Sequence, residues 1–190
     1  MEIRSFLAFE LPPGIKSEVA RISGEVKKSG LNAGWVKPGN IHLTVVFMGN
    51  INSDDVPVIT SLIGNAVSSC KTFDISLGGM GLFPDIRRPR VIWLGLNGEI
   101  DRLSSLRDDL QKPLESFGIK QEKRPFKAHL TLGRFRKPVK DRDLLKRIVD
   151  EYKHNTGPEG SFKELVMFKS ELKPGGAVYT RLHSWPLIEK

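Results

Sequence analysis

His42-Leu43-Thr44-Val45 and, 87 residues further on, His129-Leu130-Thr131-Leu132 decide how this chain is read. Both copies lie in apolar stretches with the character of strands, Ile41–Met48 and Ala128–Phe135. Side chains two apart on a strand share a face. Each copy therefore sets an imidazole beside a hydroxyl, while Leu43, Val45, Leu130 and Leu132 point the other way, into a core. With four His and six Thr in 190 residues, random placement gives about 0.1 His-x-Thr pairs. A lone copy would read as a polar position on a half-exposed strand; two copies point to a repeated unit.

The surroundings of the two copies repeat as well. A short strand, Ile3–Glu10, stops at Leu11-Pro12-Pro13-Gly14. A helix follows with Ile15, Val19, Ile22 and Val26 on one face, closed by Ser29-Gly30. After the first motif, Ser53-Asp54-Asp55 can cap a helix with the stripe Ile59, Leu62, Ile63, Ala66 and Val67, and Phe73–Leu77 alternates as a strand. The second half begins with the strand Val91–Leu96. Its first helix carries Ile100, Leu103, Leu106, Leu110, Leu114 and Phe117 and ends at Gly118; a second is capped by Asp141 and carries Leu144, Leu145, Ile148, Val149 and Tyr152. Phe162–Leu172 and Ala177–Leu182 read as two strands joined by a turn, Lys173-Pro174-Gly175-Gly176. A shift of 87 residues superposes strand on strand, helix on helix and motif on motif. The expectation is an α+β fold over 1–190 as one bilobed domain, with copies at about 1–80 and 90–172 and a C-terminal strand at 177–184. Two pseudo-twofold-related lobes, each a mainly antiparallel sheet flanked by helices, would enclose an active-site groove. Gly79–Pro89 would be the crossover between them.

Bulk composition narrows the partner. Hydrophobic content of 39% and charged content of 27% are those of a soluble globular chain able to hold one sizeable core. The net charge of +8 favours a polyanion. Between Lys120 and Lys140 eight basic residues face a single acid, Glu122, and this window surrounds the second motif. Cys70 is the only cysteine, which excludes an intrachain disulfide and a cysteine zinc site; it reads as a small buried hydrophobe. The N-terminal residues lack a signal-peptide layout and no apolar run reaches membrane-spanning length, so a cytoplasmic location without membrane contact is expected. No protein partner is implied.

One neutral and one charged imidazole on opposite sides of a phosphorus atom suit in-line displacement. The base takes a proton from the attacking oxygen, the acid gives one to the leaving oxygen, and the two Thr hydroxyls hold the phosphoryl oxygens. A strained cyclic phosphate fits such a site best. No G-x-x-x-x-G-K-[ST] pattern anchors a nucleotide, Thr is a poor metal ligand, and no carboxylate lies near either motif, so neither cofactor nor metal is expected. His154 reads as an exposed loop residue and His183 as peripheral. Phe83, Phe126 and Tyr179 are candidates to stack on a base, and Lys127 and Arg134 to meet phosphate; Trp35 and Trp93 are assigned to packing.

The paired motifs, with Arg4-Ser5-Phe6-Leu7-Ala8-Phe9-Glu10-Leu11-Pro12, Trp35-Val36-Lys37-Pro38 and Pro125-Phe126-Lys127-Ala128, resemble the two-histidine phosphoesterase superfamily. Within it the chain is most similar to the RNA 2′,3′-cyclic phosphodiesterases, historically named 2′-5′ RNA ligases. Phe168-Lys169-Ser170-Glu171-Leu172 and Pro174-Gly175-Gly176-Ala177-Val178-Tyr179 carry the likeness to the C-terminal part. The resemblance implies hydrolysis of an RNA 2′,3′-cyclic phosphate end to a 2′-phosphomonoester without metal or nucleotide. It implies His42 as proton donor to O3′, His129 as the base that activates water, and Thr44 and Thr131 on the phosphate. Joining of tRNA halves through a 2′-5′ linkage would be the same chemistry with a 5′-hydroxyl in place of water. The alternative from a different class is a non-catalytic RNA-end binding module built on the basic window.

Overall fold

The structure, a computed structural model, describes residues 1–190. In chain order its elements are β1 (Glu2–Glu10), α1 (Pro13–Lys28), β2 (Gly34–Trp35), β3 (His42–Asn52), α2 (Val56–Val67), β4 (Phe73–Phe83) and β5 (Val91–Gly98). There follow α3 (Ile100–Leu114), β6 (His129–Arg134), α4 (Arg142–Tyr152), β7 (Glu159–Phe162), β8 (Glu164–Lys173) and β9 (Gly176–Pro186). The strands form one antiparallel sheet in the order β7-β4-β5-β6-β3-β1-β8-β9, with the short β2 also paired to β6. The α+β class expected from the repeat is the observed one.

The helices form where apolar periodicity and end signals agree. Asp141 caps α4 by accepting the Leu144 N–H at 2.8 Å. Before α2 the side-chain acceptor is Asn52, one residue ahead of the expected Ser53; Ser53–Asp55 forms a 3₁₀ turn leading into the helix. Ile15, Val19, Ile22 and Val26 of α1, Ile59 and Ile63 of α2, Leu103 and Leu110 of α3, and Leu145 of α4 join Leu43 and Leu130 in one core. That core lies on a single face of the sheet. The opposite face has a small aromatic cluster of its own, Phe6 and Phe168 with Ala8, Val166 and Tyr179. Cys70 is half-buried against the main core rather than enclosed, because it falls after the end of α2.

The expectation of two separate sheets meets one continuous sheet. The order β3-β1-β8 on one side matches β6-β5-β4 on the other, so each half takes its third strand from the other half of the sequence. The strand pairings thus cross the 1–80 and 90–172 segments, a correspondence we propose reflects internal duplication. The motif strands would otherwise be edges with unpaired N–H and C=O groups. They pair with each other, through the single register position Leu43↔Leu130.

Gly79–Pro89 is not a crossover. β4 continues through a bulge between Leu77 and Met80 as far as Phe83 and returns in β5 as a hairpin. Glycine weakens a strand locally, yet packing demands it here. A Cβ on Gly79 would sit 2.0 Å from the Lys153 carbonyl oxygen at the end of α4, and one on Gly81 would sit 2.3 Å from the Trp93 ring. Gly79→Ala meets rigid backbone, so we expect a stability loss of about 3 kcal/mol. In a chain of this length that lowers Tm by about 6–12 °C in thermal unfolding. An unchanged Tm would show that β4 does not pass against α4. Phe162–Leu172 likewise divides at Lys163: β7 pairs with β4, whereas β8 pairs with β1 and β9.

Candidate active site

The pairing of Leu43 with Leu130 places the two motifs in antiparallel register about that point. Both leucines are fully buried on the helix-covered face, so the alternate residues emerge together on the open face. By the ladder, His42 lies across from Thr131 and Thr44 across from His129. In such a pair opposed Cβ atoms are about 5 Å apart and diagonal neighbours about 7–8 Å apart. The two imidazoles occupy the diagonal. All four side chains line one groove of about 400 Å³.

Each imidazole is locked in the same tautomer. His42 Nδ1 is 2.7 Å from the Asn40 carbonyl oxygen and His129 Nδ1 is 2.7 Å from the Lys127 carbonyl oxygen. A carbonyl only accepts, so both Nδ1 atoms carry hydrogen and both Nε2 atoms are left for chemistry. His42 Nε2 already has a partner, Thr44 Oγ1 at 2.9 Å. When His42 is neutral the hydroxyl donates to it, and when it is charged the direction reverses. His129 makes no such bond to Thr131.

Aromatic side chains hold the rings in place. Phe6 stacks on His42 at 4.8 Å with planes 17° apart, and Tyr179 meets the ring edge-on at 5.3 Å. Phe83 meets His129 edge-on at 4.9 Å, with Trp93 behind at 6.3 Å. Burial pushes both imidazoles below the ordinary histidine pKa, against the partial opposition of the carbonyl bonds. For His129 the cations Arg134 and Lys127 push further in the same direction.

The groove is strongly electropositive. Arg4, Lys37, Arg134 and Arg136 contribute to its walls, and no aspartate or glutamate does. Arg4 lies over the Phe47 ring at 4.7 Å, and Phe47 is 52% exposed, a large apolar ring open to solvent beside the motif. Among the residues singled out from sequence, Arg134 and Tyr179 line the groove with the four motif side chains. Phe83 reaches His129 from behind and is not part of that lining. Lys127 is also outside it, its ammonium over Trp93 at 4.6 Å and over Phe83 at 5.3 Å; it acts on His129 through its carbonyl and its charge. Phe126 packs against the core beneath the Arg107 guanidinium. His154 is exposed, and His183 lies tilted against Trp185 outside the groove.

Sequence reasoning missed Arg4, Lys37, Phe47 and the groove-facing side of Trp35. Arg4 and Phe6 alternate with Ile3, Ser5 and Leu7, so a period-two reading of β1 contained that signal. Trp35 both lines the groove and packs on the core and on Gly133, where a Cβ would meet its ring at 2.9 Å. Trp93 is buried as expected, but beside His129 and outside the main core.

Two imidazole–hydroxyl pairs on adjacent strands, each Nδ1 held by a carbonyl and all four side chains lining one basic groove, are the arrangement of a two-histidine phosphoesterase. The family comparison agrees. A model of the 2′-5′ RNA ligase superfamily matches residues 11–173, and the chain belongs to that superfamily. It is 30% identical over 187 residues to the RNA 2′,3′-cyclic phosphodiesterase of Methanothermobacter thermautotrophicus, covering 98% of this chain and 100% of the relative. It is 31% identical over 183 residues to the enzyme of the same name from Methanocaldococcus jannaschii, covering 96% and 100%. The crystal structure of TT0787 from Thermus thermophilus superposes with a TM-score of 0.80 at 26% identity, over 99% of this chain and 100% of that one. E. coli LigT complexed with 3′-AMP shares the fold, with a TM-score of 0.73 at 23% identity over 98% and 99%. No helix of the chain is long and apolar enough to cross a membrane.

Proposed function

We propose that the protein hydrolyses RNA 2′,3′-cyclic phosphate ends to 2′-phosphomonoesters, with its own imidazoles as acid and base and no metal. The observation that supports this is the shared groove: both Nδ1–H groups are committed to carbonyls, which leaves both Nε2 atoms for chemistry, and both rings line it. His129 serves as base. Two cations beside it disfavour its protonation in addition to burial, and its Nε2 has no protein partner. It takes a proton from water as the water oxygen attacks phosphorus. The P–O3′ bond breaks, and His42 Nε2–H gives its proton to the departing O3′. Thr44 and Thr131 donate to the phosphoryl oxygens as charge gathers there, and Arg134 faces the same groove. Tyr179 lines the wall beside His42 and Phe83 steadies His129. With a 5′-hydroxyl in place of water, the same displacement of O3′ would form a 2′-5′ bond, as between tRNA halves.

The decisive experiment identifies the product of a defined 2′,3′-cyclic oligonucleotide by chromatography, with EDTA present. A 2′-phosphate is expected. A 3′-phosphate would contradict O3′ as leaving group, and binding without conversion would mark a non-catalytic RNA-end module.

The depressed imidazole pKa values also set a pH dependence. Turnover needs one ring neutral and one charged, and both rings of the free protein lose their proton more readily than the ordinary histidine at about 6.5. The kcat/KM optimum is therefore expected on the acid side of that value, falling as pH rises and the donor is lost. Bound phosphate places negative charge beside both Nε2 atoms and raises their affinity for protons, so kcat should peak at higher pH than kcat/KM. Coincident optima above neutrality would contradict the burial argument.

A further inference from the structure

We propose that a second basic cavity, beside the groove but outside it, holds the backbone phosphates of the RNA strand that leads to the cyclic end. This rests on the function proposed above. The cavity measures about 380 Å³, and five of its eight lining residues are cations: Arg87, Arg88, Arg90, Lys137 and Arg142. None of the eight is acidic, and none of the five cations takes part in an ion pair within the protein. The nearby carboxylates are spent on backbone. Asp85 accepts the Arg87 and Arg88 N–H groups at 2.7 and 3.1 Å, and Asp141 accepts the Leu144 N–H at 2.8 Å. Asp85 also feels the charges of Arg87 and Arg88, yet the lining itself holds five cations and no acid and so attracts a polyanion.

The cavity is anchored to the ends of the site's own strands. It is built from the connection after β4 and the connection after β6, and the two are tied together: Phe135 N–H donates to the Arg90 carbonyl at 2.9 Å, and Arg90 N–H to the Phe83 carbonyl at 2.7 Å. The chain itself leads from the groove to the cavity. Arg134 and Arg136 face the groove, and the next residue, Lys137, faces the cavity. Arg134 is close enough to His129 to act on its charge, and from there the cations run on through Arg136 to Lys137 and the cavity. A 2′,3′-cyclic phosphate is by its chemistry the last residue of an RNA, so the only strand available to follow those cations is the upstream one. No aromatic side chain lines the cavity. Cations without stacking surfaces suit phosphates rather than bases.

The test compares the wild type with the triple variant Arg87→Gln, Arg88→Gln, Arg142→Gln, whose three side chains are exposed and lie outside the groove. Removing Arg142 from the first turn of α4 also relieves an unfavourable charge at a helix start, so the fold should hold, as thermal unfolding will show. With a 2′,3′-cyclic mononucleotide, kcat and KM should be unchanged. With a longer 2′,3′-cyclic oligonucleotide, KM should rise about tenfold at constant kcat as phosphate contacts are lost. Binding of an oligoribonucleotide ending in 2′-phosphate, measured against salt, should lose about two units of slope in log affinity versus log salt. Unchanged oligonucleotide KM and salt slope would overturn the cavity's role, and an equal loss on both substrates would overturn its separateness from the groove. If the wild type converts neither substrate, the proposed reaction is at fault, and the salt titration still decides the cavity.

Discussion

His42→Ala and His129→Ala should each lower kcat on a 2′,3′-cyclic oligonucleotide by about 10²–10⁴-fold, the range of a lost general acid or base. The two losses differ in kind. Without His129 the water keeps its proton, and alkaline pH, which raises hydroxide, should restore part of the rate. Without His42 the O3′ leaves as an alkoxide and acid should help instead. The double variant should be scarcely slower than the worse single one, because in the proposed mechanism the two rings act as a unit, and the effects of such groups do not add. Circular dichroism should show the fold retained, since both rings lie on the open face, outside the main core. Undiminished turnover by the double variant would remove both residues from the mechanism.

Leu43→Ala should cost about 2–5 kcal/mol, the range for truncating a fully buried leucine where surroundings close only partly. Leu43 has no exposed surface, and its partner Leu130 has none either. The pair is the single register contact that joins β3 to β6 and hence one His/Thr unit to the other. The expected signature is twofold: a lower denaturant midpoint at unchanged m-value, and a fall in kcat, although no atom of the groove has been altered. A small misplacement of catalytic groups is known to reduce rate steeply. Leu7→Ala serves as the comparison, equally buried but in β1, away from the junction. If Leu43→Ala and Leu7→Ala reduce kcat alike, the junction has no special hold on the site.

Local pattern made much of this molecule legible. The helices α1, α3 and α4 follow their apolar stripes, and the β8–β9 hairpin follows Pro174-Gly175-Gly176. The His-x-Thr spacing survives because the strand period alone puts both side chains on one face. Where the reading failed, distant packing overrode local preference. Gly78-Gly79-Met80-Gly81 has the composition of a loop, but it is strand because α4 and the Trp93 ring leave no room for larger side chains. The two halves also fill equivalent places differently: Phe6 and Phe168 beneath His42, Trp93 over Gly81 near His129. Such complementary exchanges of bulk are invisible until the strands are paired.

The groove cations were only partly visible for the same reason. Arg134 belongs to a basic window beside its motif, whereas Arg4 and Lys37 are single charges in other segments. Nothing near them in the chain marks them as lining the same groove as His129.

The α+β class, the helix stripes and the shared face of each His/Thr pair are readable from the chain alone, because each rests on periods of two or 3.6 residues that short segments carry unaided. Folding settles which strands pair, that the two motif strands meet at Leu43 and Leu130, and which distant cations face the imidazoles. Those outcomes depend on burying one common core and leaving no strand edge unpaired between the halves, conditions that only the whole folded chain can satisfy.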